Sequence, residues 1–257
     1  MDYKSIAEKL FEAEVGAYQI NAITDQFPDM TVEDAYAIQL ENISKKATEG
    51  KKIIGLKVGL TSKAMQNLLG VREPDYGHLT DDMLIAEGVN CEIKELIQPK
   101  VEGELAFCLN KPLKGPGITI ADVYNATGWV VPSIEIVDSR IKDWKIKLYD
   151  TIADNGSSAK LILGSKMTKI SDIDMRLIGM MLEKNGEIVS TGTGAEVWGN
   201  PAAAVAWLAN KLSDFDIGLK EGSIILSGAV TAAVSAEAGD VFTVSFHGMG
   251  SVSVKFI

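Results

Sequence analysis

Gln98-Pro99-Lys100-Val101-Glu102-Gly103-Glu104-Leu105-Ala106-Phe107-Cys108-Leu109-Asn110 places two acids inside an otherwise apolar run. From Val101 to Leu109 the residues alternate as a strand does, so Glu102, Glu104, Ala106 and Cys108 share one face. Val101, Leu105, Phe107 and Leu109 share the other. Two carboxylates one residue apart on a strand face stand roughly 6–7 Å apart at the backbone, and their side chains can converge. In apolar surroundings they repel and resist ionisation unless a cation lies between them. A third acid, Glu135, sits in the equally apolar run Trp129-Val-Val-Pro-Ser-Ile-Glu-Ile-Val137. Three carboxylates with no histidine near them fit a hard, oxygen-preferring ion, Mg²⁺ or Mn²⁺. A plainer reading stands beside this one. A strand glutamate is commonly an edge residue or an ion-pair partner, Lys100 and Arg140 are available, and E-x-E is a common string.

The remaining composition bounds the choice. A chain of 257 residues with 46% hydrophobic and 23% charged residues fits one globular domain. A net charge of −10 argues against nucleic acid and anionic membrane surfaces as partners. Cys91 and Cys108 fit no metal or redox spacing and read as reduced, with a cytoplasmic address as the default. The charged start, Met1 to Leu10, lacks a signal-peptide core, and no apolar run is long enough to span a bilayer.

Residues 4 to about 18 show helical periodicity through Ile6, Leu10 and Ala13, and Thr31-Val-Glu-Asp34 resembles a cap opening a second helix that ends before Gly50. Lys51 to Leu60 reads as a strand interrupted by Gly55 and Gly59, where another backbone or a ligand comes close. Lys57 between them is either an edge lysine reaching solvent or a residue serving an anionic substrate or acting as a tuned acid. A short helix over 61–69 is closed by Gly70. Pro74 and Gly77 predict a loop over Glu73–Met83 leading into a strand, with Asp75 a turn aspartate or a site acid and His78 a surface residue or a base. Thr119–Ala126 fits a short helix. Thr151 to Ser158, which includes Ser157, reads as a ligand-facing loop or a simple turn. Asn185-Gly186 predicts a hairpin between strands 175–184 and 187–191. Asn200-Pro201 opens a helix through Leu212, and strands follow near 224–227, 241–247 and 251–256.

Gly55-Leu-Lys-Val-Gly-Leu-Thr-Ser62, Glu73-Pro-Asp-Tyr-Gly77, Pro99-Lys-Val-Glu-Gly-Glu-Leu-Ala-Phe107, Ile134-Glu-Ile-Val-Asp-Ser-Arg140 and Ala153-Asp-Asn155, in that order, resemble one family. It is the 2-hydroxypenta-2,4-dienoate (2-keto-4-pentenoate) hydratase and 4-oxalocrotonate decarboxylase family of the fumarylacetoacetate hydrolase superfamily. The likeness runs to the closing Gly250–Phe256. It implies an α+β fold with a mixed, strongly curled β-sheet core, peripheral helices and an N-terminal helical segment. One catalytic domain would span 1–257, with helices over 1–50 and the metal-binding β-rich core over 51–257. It implies that Glu102, Glu104 and Glu135 hold Mg²⁺ or Mn²⁺, and that Lys57 and Asp75 take part in the chemistry. Gly156 departs from the pattern, since relatives usually carry alanine in that loop.

The resemblance implies a 2-oxo or 2-hydroxy carboxylic acid substrate from aromatic catabolism, and two reactions. A hydratase would add water to a 2-hydroxy-2,4-dienoate, through the 2-oxo-3-enoate, to give a 4-hydroxy-2-oxo acid. A decarboxylase would act on 2-oxo-3-hexenedioate. Pro74-Asp-Tyr-Gly77 resembles the hydratases. Phe27–Tyr36 and Gly228–Val234 look more like the decarboxylase branch, the former also resembling hydratases of seven-carbon dicarboxylates. Thr231 and Lys160 could meet the distal end of a substrate, although a strand-end threonine and a surface lysine are the plainer readings. The family is typically a homo-oligomer, and its hydratases and decarboxylases associate. A non-catalytic partner subunit is therefore a further reading, opposed by the retention of three acids and Lys57.

Overall fold

The computed structural model describes residues 1–257, apart from the side chains of Leu68 and Leu69. Its apolar runs form two sheets. The larger contains β1 (Ile53–Gly59), β2 (Asp75–Thr80), β3 (Leu84–Ile85), β4 (Lys100–Leu109), β5 (Thr127–Val137), β6 (Ser158–Leu163), β9 (Ile224–Leu226) and β10 (Val234–Ser235). The smaller contains β7 (Gly179–Lys184), β8 (Glu187–Thr193), β11 (Val241–Phe246) and β12 (Gly250–Lys255). The helices are α1 (Tyr3–Gly16), α2 (Ile23–Gln26), α3 (Val32–Thr48), α4 (Lys63–Leu69), α5 (Ile120–Ala126), α6 (Leu148–Ala153) and α7 (Pro201–Ser213).

In the larger sheet the order is β2-β1-β9-β4-β5-β6-β3, with β10 beside β4. Pairing is antiparallel except for β1–β9 and β3–β6, so the sheet is mixed. It is also curled. Lys57 on β1 and Glu135 on β5 are separated by β9 and β4, about 14 Å across a flat sheet at normal strand spacing. Their side chains nevertheless meet at 3.5 Å.

Each face has its own filling. Outward residues of β1, β2, β4 and β5, including Val58, Tyr76, Leu105, Phe107 and Ile134, join α1, α3, α7 and the smaller sheet in the main core. The concave face contains a small apolar plug of Leu79, Met83, Ala106, Val131, Leu161 and Leu226. Gly103, between the two acids of β4, points outward. A Cβ there would lie 3.1 Å from Met180 and 3.2 Å from Val244 of the smaller sheet, so the glycine serves sheet-on-sheet packing.

Caps account for the helix ends. Thr31 accepts a hydrogen bond from the Asp34 amide while Asp34 accepts from the Thr31 amide, and Asn200 caps α7 ahead of Pro201. The Asn185-Gly186 turn has both residues at positive φ, as a two-residue hairpin requires. Three sequence expectations need correction. Asp75 to Thr80 is a strand paired with β1, and Gly77 serves close packing, because a Cβ there would collide with the Asn155 carbonyl. Residues 175–178 form a turn whose Leu177 and Ile178 amides donate to the Asp174 carbonyl, so β7 starts at Gly179. Thr151 to Ser158 comprises the end of α6 and a 3-10 turn. Among the described residues, no helix is long and apolar enough to cross a membrane.

Gln39 on α3 ties these layers together. Its amide nitrogen donates to the carbonyls of Tyr76 (3.1 Å) and Ile152 (2.8 Å), and its oxygen lies 2.9 Å from His78 Nδ1. Gln39 is fully buried. Gln39→Leu leaves three buried polar groups without partners, and urea unfolding should register a loss of about 2–4 kcal/mol.

Candidate functional site

Strand register brings the three acids together. Glu102 of β4 lies directly opposite Glu135 of β5, and Glu104 is opposite Ser133. One oxygen from each of Glu102, Glu104 and Glu135 falls within 4.8 Å of the others. Glu104 accepts a hydrogen bond from the Gly228 amide at 2.8 Å, just after β9 ends. Both carboxylate oxygens of Glu135 are buried without a hydrogen-bond partner. Buried carboxylate oxygens need hydrogen bonds or a cation, and an all-oxygen set suits a hard divalent ion. These residues fit such a group.

Lys57 and Asp75 complete the charged centre. Lys57 lies 3.5 Å from Glu135, and Gly59, two residues along β1, faces Asp75 of β2 in register. A Cβ at Gly59 would collide with Asp75 Oδ1, so this glycine makes room for the acid. Asp75 Oδ2 accepts a long hydrogen bond from Thr151 at 3.4 Å, while Oδ1 is buried without a partner. Burial pushes the Glu102 carboxyl up to about 7, reinforced by Glu135, and pushes Glu104 well above the glutamate range with Glu135 and Glu102 adding to it. Burial likewise raises Asp75, against the pull of Lys57. Burial alone would lower Lys57, but Glu135, followed by Asp75, more than offsets it and holds the ammonium above its ordinary value. Lys57 is therefore a cation at neutral pH, and the solvent-reaching reading fails because it is buried.

The loop over this centre is held from behind. Asn155, Gly156 and Ser157 all have positive φ, which glycine adopts freely and which is strained at Ser157 and, less so, at Asn155. Asn155 extends the β2 edge, accepting from the His78 amide at 2.7 Å and donating to the His78 carbonyl at 2.9 Å. Buried Arg140 pairs with Asp154 and donates to the carbonyls of Asp138, Asp154 and Ser158. Arg140 is thus no partner of the three glutamates, contrary to the sequence alternative. Ser157 donates to Asp154 at 3.2 Å and also lines the cavity. Gly156 lies against Lys57, where a methyl would come 2.7 Å from Cε.

A cavity of about 550 Å³ opens from this centre. Lys57, Asp75, Glu102, Glu104, Ser157 and Thr231 all line it. Thr231 Oγ1 is buried and unpartnered. Lys160 is not part of this lining and approaches Glu95 at 3.8 Å. His78 is on the convex side against Gln39, its imidazole pushed down to about 4 by burial, and is neither a surface residue nor near the acids. Sequence reading missed Trp144, Met65 and Glu196 in the lining, as well as the Gly228 amide. Lys100 entered only as a pairing partner, although the two-residue period from Glu102 places it on the same face.

With this geometry in view, the relatives are informative. The chain is 47% identical over 251 residues to 2-hydroxyhexa-2,4-dienoate hydratase of Comamonas testosteroni, covering 97% of this chain and 95% of that protein. It is 42% identical over 253 residues to 4-oxalocrotonate decarboxylase of Pseudomonas putida, covering 98% and 96%. Among solved structures, 4-oxalocrotonate decarboxylase from Pseudomonas putida G7, complexed with magnesium and adipate, superposes with a TM-score of 0.97 at 40% identity, covering 99% of this chain and 97% of that one. The fumarylacetoacetate (FAA) hydrolase C-terminal family matches residues 58–257, and this chain, with its curled mixed sheet, belongs to that family.

Proposed function

We propose that the chain is a metal-dependent lyase that adds water to a 2-hydroxy-2,4-dienoate to give a 4-hydroxy-2-oxo acid. The observation that carries this reading is a buried centre with three convergent glutamates, Lys57 beside Glu135 and an unpartnered Asp75 oxygen. Glu102, Glu104 and Glu135 would hold Mg²⁺ or Mn²⁺, which supplies Lewis-acid polarisation of the substrate's C2 oxygen. Lys57 donates to the C2 oxygen or the adjoining carboxylate and steadies negative charge developing there. Asp75, whose affinity for a proton burial raises, is placed to take up or hand on a proton. The dienol becomes a 2-oxo-3-enoate as C5 gains a proton and the 2-hydroxyl loses one. Water then adds at C4, and the balancing proton ends at C3.

Decarboxylation of 2-oxo-3-hexenedioate is the second reading. It is favoured by the 0.97 superposition on a decarboxylase and by the Gly228–Val234 wall, whose Thr231 hydroxyl has no partner. We further read the chain as one catalytic domain over residues 1–257, working in the cytoplasm as a homo-oligomer with room for association with a related enzyme. The unpaired thiols Cys91 and Cys108 support the compartment, and exposed Leu177, Ile188 and Val189 support a subunit contact.

An absorbance assay with Mg²⁺, products identified by mass, tests the reaction. Consumption of 2-hydroxypenta-2,4-dienoate with gain of water is expected. Release of CO₂ from 2-oxo-3-hexenedioate with the dienoate untouched would replace hydration by decarboxylation. Turnover of neither would sink both. Lys57→Met should lower kcat by about 10²–10⁴-fold while calorimetry still shows Mg²⁺ binding. Asp75→Asn should also lower kcat.

The raised carboxyls set the pH behaviour. A carboxyl raised on folding binds more protons folded than unfolded, so the metal-free protein should lose stability as pH rises from the ordinary glutamate range through about 7. Thermal melts should show lower stability at pH 8 than at pH 6, with Mg²⁺ restoring it. Mg²⁺ affinity should fall below pH 7 by up to about tenfold per unit for each displaced proton. Glu102→Gln should raise the metal-free Tm, roughly 2–4 °C for each kcal/mol of relieved repulsion, and abolish the Mg²⁺-induced shift.

A further inference from the structure

Thr151 of α6 is buried in the cavity wall, and the proposed reaction gives it no task. Among the described residues its hydroxyl is the one side-chain hydrogen-bond partner of Asp75, donating to Oδ2 at 3.4 Å. At that length the bond steers the carboxyl more than it anchors it. The other oxygen, Oδ1, is buried without a partner beside Gly59. The Lys57 ammonium lies on the same side, 3.4 Å from where a Cβ of Gly59 would stand. Among the described residues Lys57 pairs with Glu135 and not with Asp75, so Oδ1 stays unengaged although a cation is near.

Thr151 is itself held from both sides along the chain. Its neighbour Asp150 is fully buried and accepts from the Thr24 amide at 3.0 Å, the Thr24 hydroxyl at 2.7 Å and the Lys147 amide at 3.0 Å, which ties α6 to α2. Its other neighbour, Ile152, offers its carbonyl to Gln39 of α3 at 2.8 Å. These bonds are all shorter than the one from Thr151 to Asp75, so the N-terminal helices set the place of Thr151 and the carboxyl follows it. A role in packing alone would be filled by valine, which has nearly the same shape and no polar atom to bury.

We propose that Thr151 is a positioning residue for Asp75: its hydroxyl engages Oδ2 and turns the carboxyl so that Oδ1 is the oxygen presented to the substrate beside Lys57. The proposal rests on the part given to Asp75 in the reaction above, and it assigns that part to one oxygen. A carboxyl free to rotate would exchange its two oxygens and hold neither in a reacting geometry, whereas a fixed one is ready without reorganisation.

Kinetics and infrared spectroscopy on the Mg²⁺-loaded full chain test this together. With whichever of the dienoate and the hexenedioate is turned over, Thr151→Val should lower kcat about tenfold and change KM by less than about twofold. Thr151→Ser, which keeps the hydroxyl, should stay within about twofold of the wild type. In an Asp75→Asn background, Thr151→Val should lower kcat by less than about twofold further. A full tenfold loss in that background would overturn the proposal, because Thr151 would then act on the substrate itself, and so would wild-type kinetics in Thr151→Val. In protein labelled with ¹³C-aspartate, the carboxyl band that Asp75→Asn removes should move in Thr151→Val and keep its place in Thr151→Ser. An unmoved band in Thr151→Val would overturn the positioning whatever the kinetics. A moved band in a protein that turns over neither compound would overturn the proposed reaction and leave the positioning of Asp75 standing. Thr151→Ala takes the place of the valine variant in every comparison if that variant does not fold.

Discussion

The facing of Glu102 and Glu135 across β4 and β5 is the constraint on which the rest of the structure depends. Like charges directly opposite in a sheet destabilise it, and burial removes the water that would screen them. Four acids share this centre with one ammonium, since Glu104 and Asp75 are buried as well. Such a set stays ionised in the interior only if positive charge completes it, and takes up protons otherwise. The curl of the sheet brings Lys57 from β1 to within 3.5 Å of Glu135, and the remaining deficit is what a divalent ion would neutralise. The plug beneath, from Leu79 to Leu226, excludes water and keeps the electrostatic demand high.

Much of the chain outside the cavity serves to hold groups at that centre. Gly59 makes room for Asp75, Gly77 lets the Asn155 loop approach β2, and Gly228 at φ 106° turns its amide onto Glu104. The left-handed run 155–157 stays in place because Arg140 and Asp154 grip it from the far side and Asn155 continues the β2 edge. Arg140 and Gln39 touch nothing reactive. They decide whether Ser157, Gly156 and Asp75 arrive in register, so substitutions behind the loop can affect the reaction through geometry alone.

Local patterns in the sequence were legible where the relevant interaction is local. Alternation placed Glu102 and Glu104 on one face, the cap at Thr31 opened α3, and Asn185-Gly186 turned the hairpin. Reading failed where partners are distant. Pro74 and Gly77 read as turn residues because nothing nearby reveals that β1 waits to pair with Asp75–Thr80 or that a carbonyl from residue 155 presses on Gly77. Arg140 read equally well as a partner of the glutamates or of Asp154. The register of Glu135 against Glu102 comes from pairing strands 33 positions apart, and the period of either strand alone leaves it open. The family resemblance carried that information because a whole set of motifs in order encodes the three-dimensional pairing.

Hydration and decarboxylation make the same demand on the inner half of this cavity. Both build negative charge at the C2 oxygen, so on the proposed reading the same glutamates and the same buried ammonium would serve either. What separates them occurs at the other end of the substrate, where one reaction brings water to C4 and the other releases a carboxylate. On either proposed reading, the groups that would tell the two apart lie along the wall from Ala229 to Ala233 and around Lys100 on Trp144, outside the acid cluster. A cation there has opposite consequences for the two chemistries. It favours binding of a diacid, but an ion pair held through the transition state opposes departure of that carboxylate as neutral CO₂, because the pair must be lost as the charge moves inward.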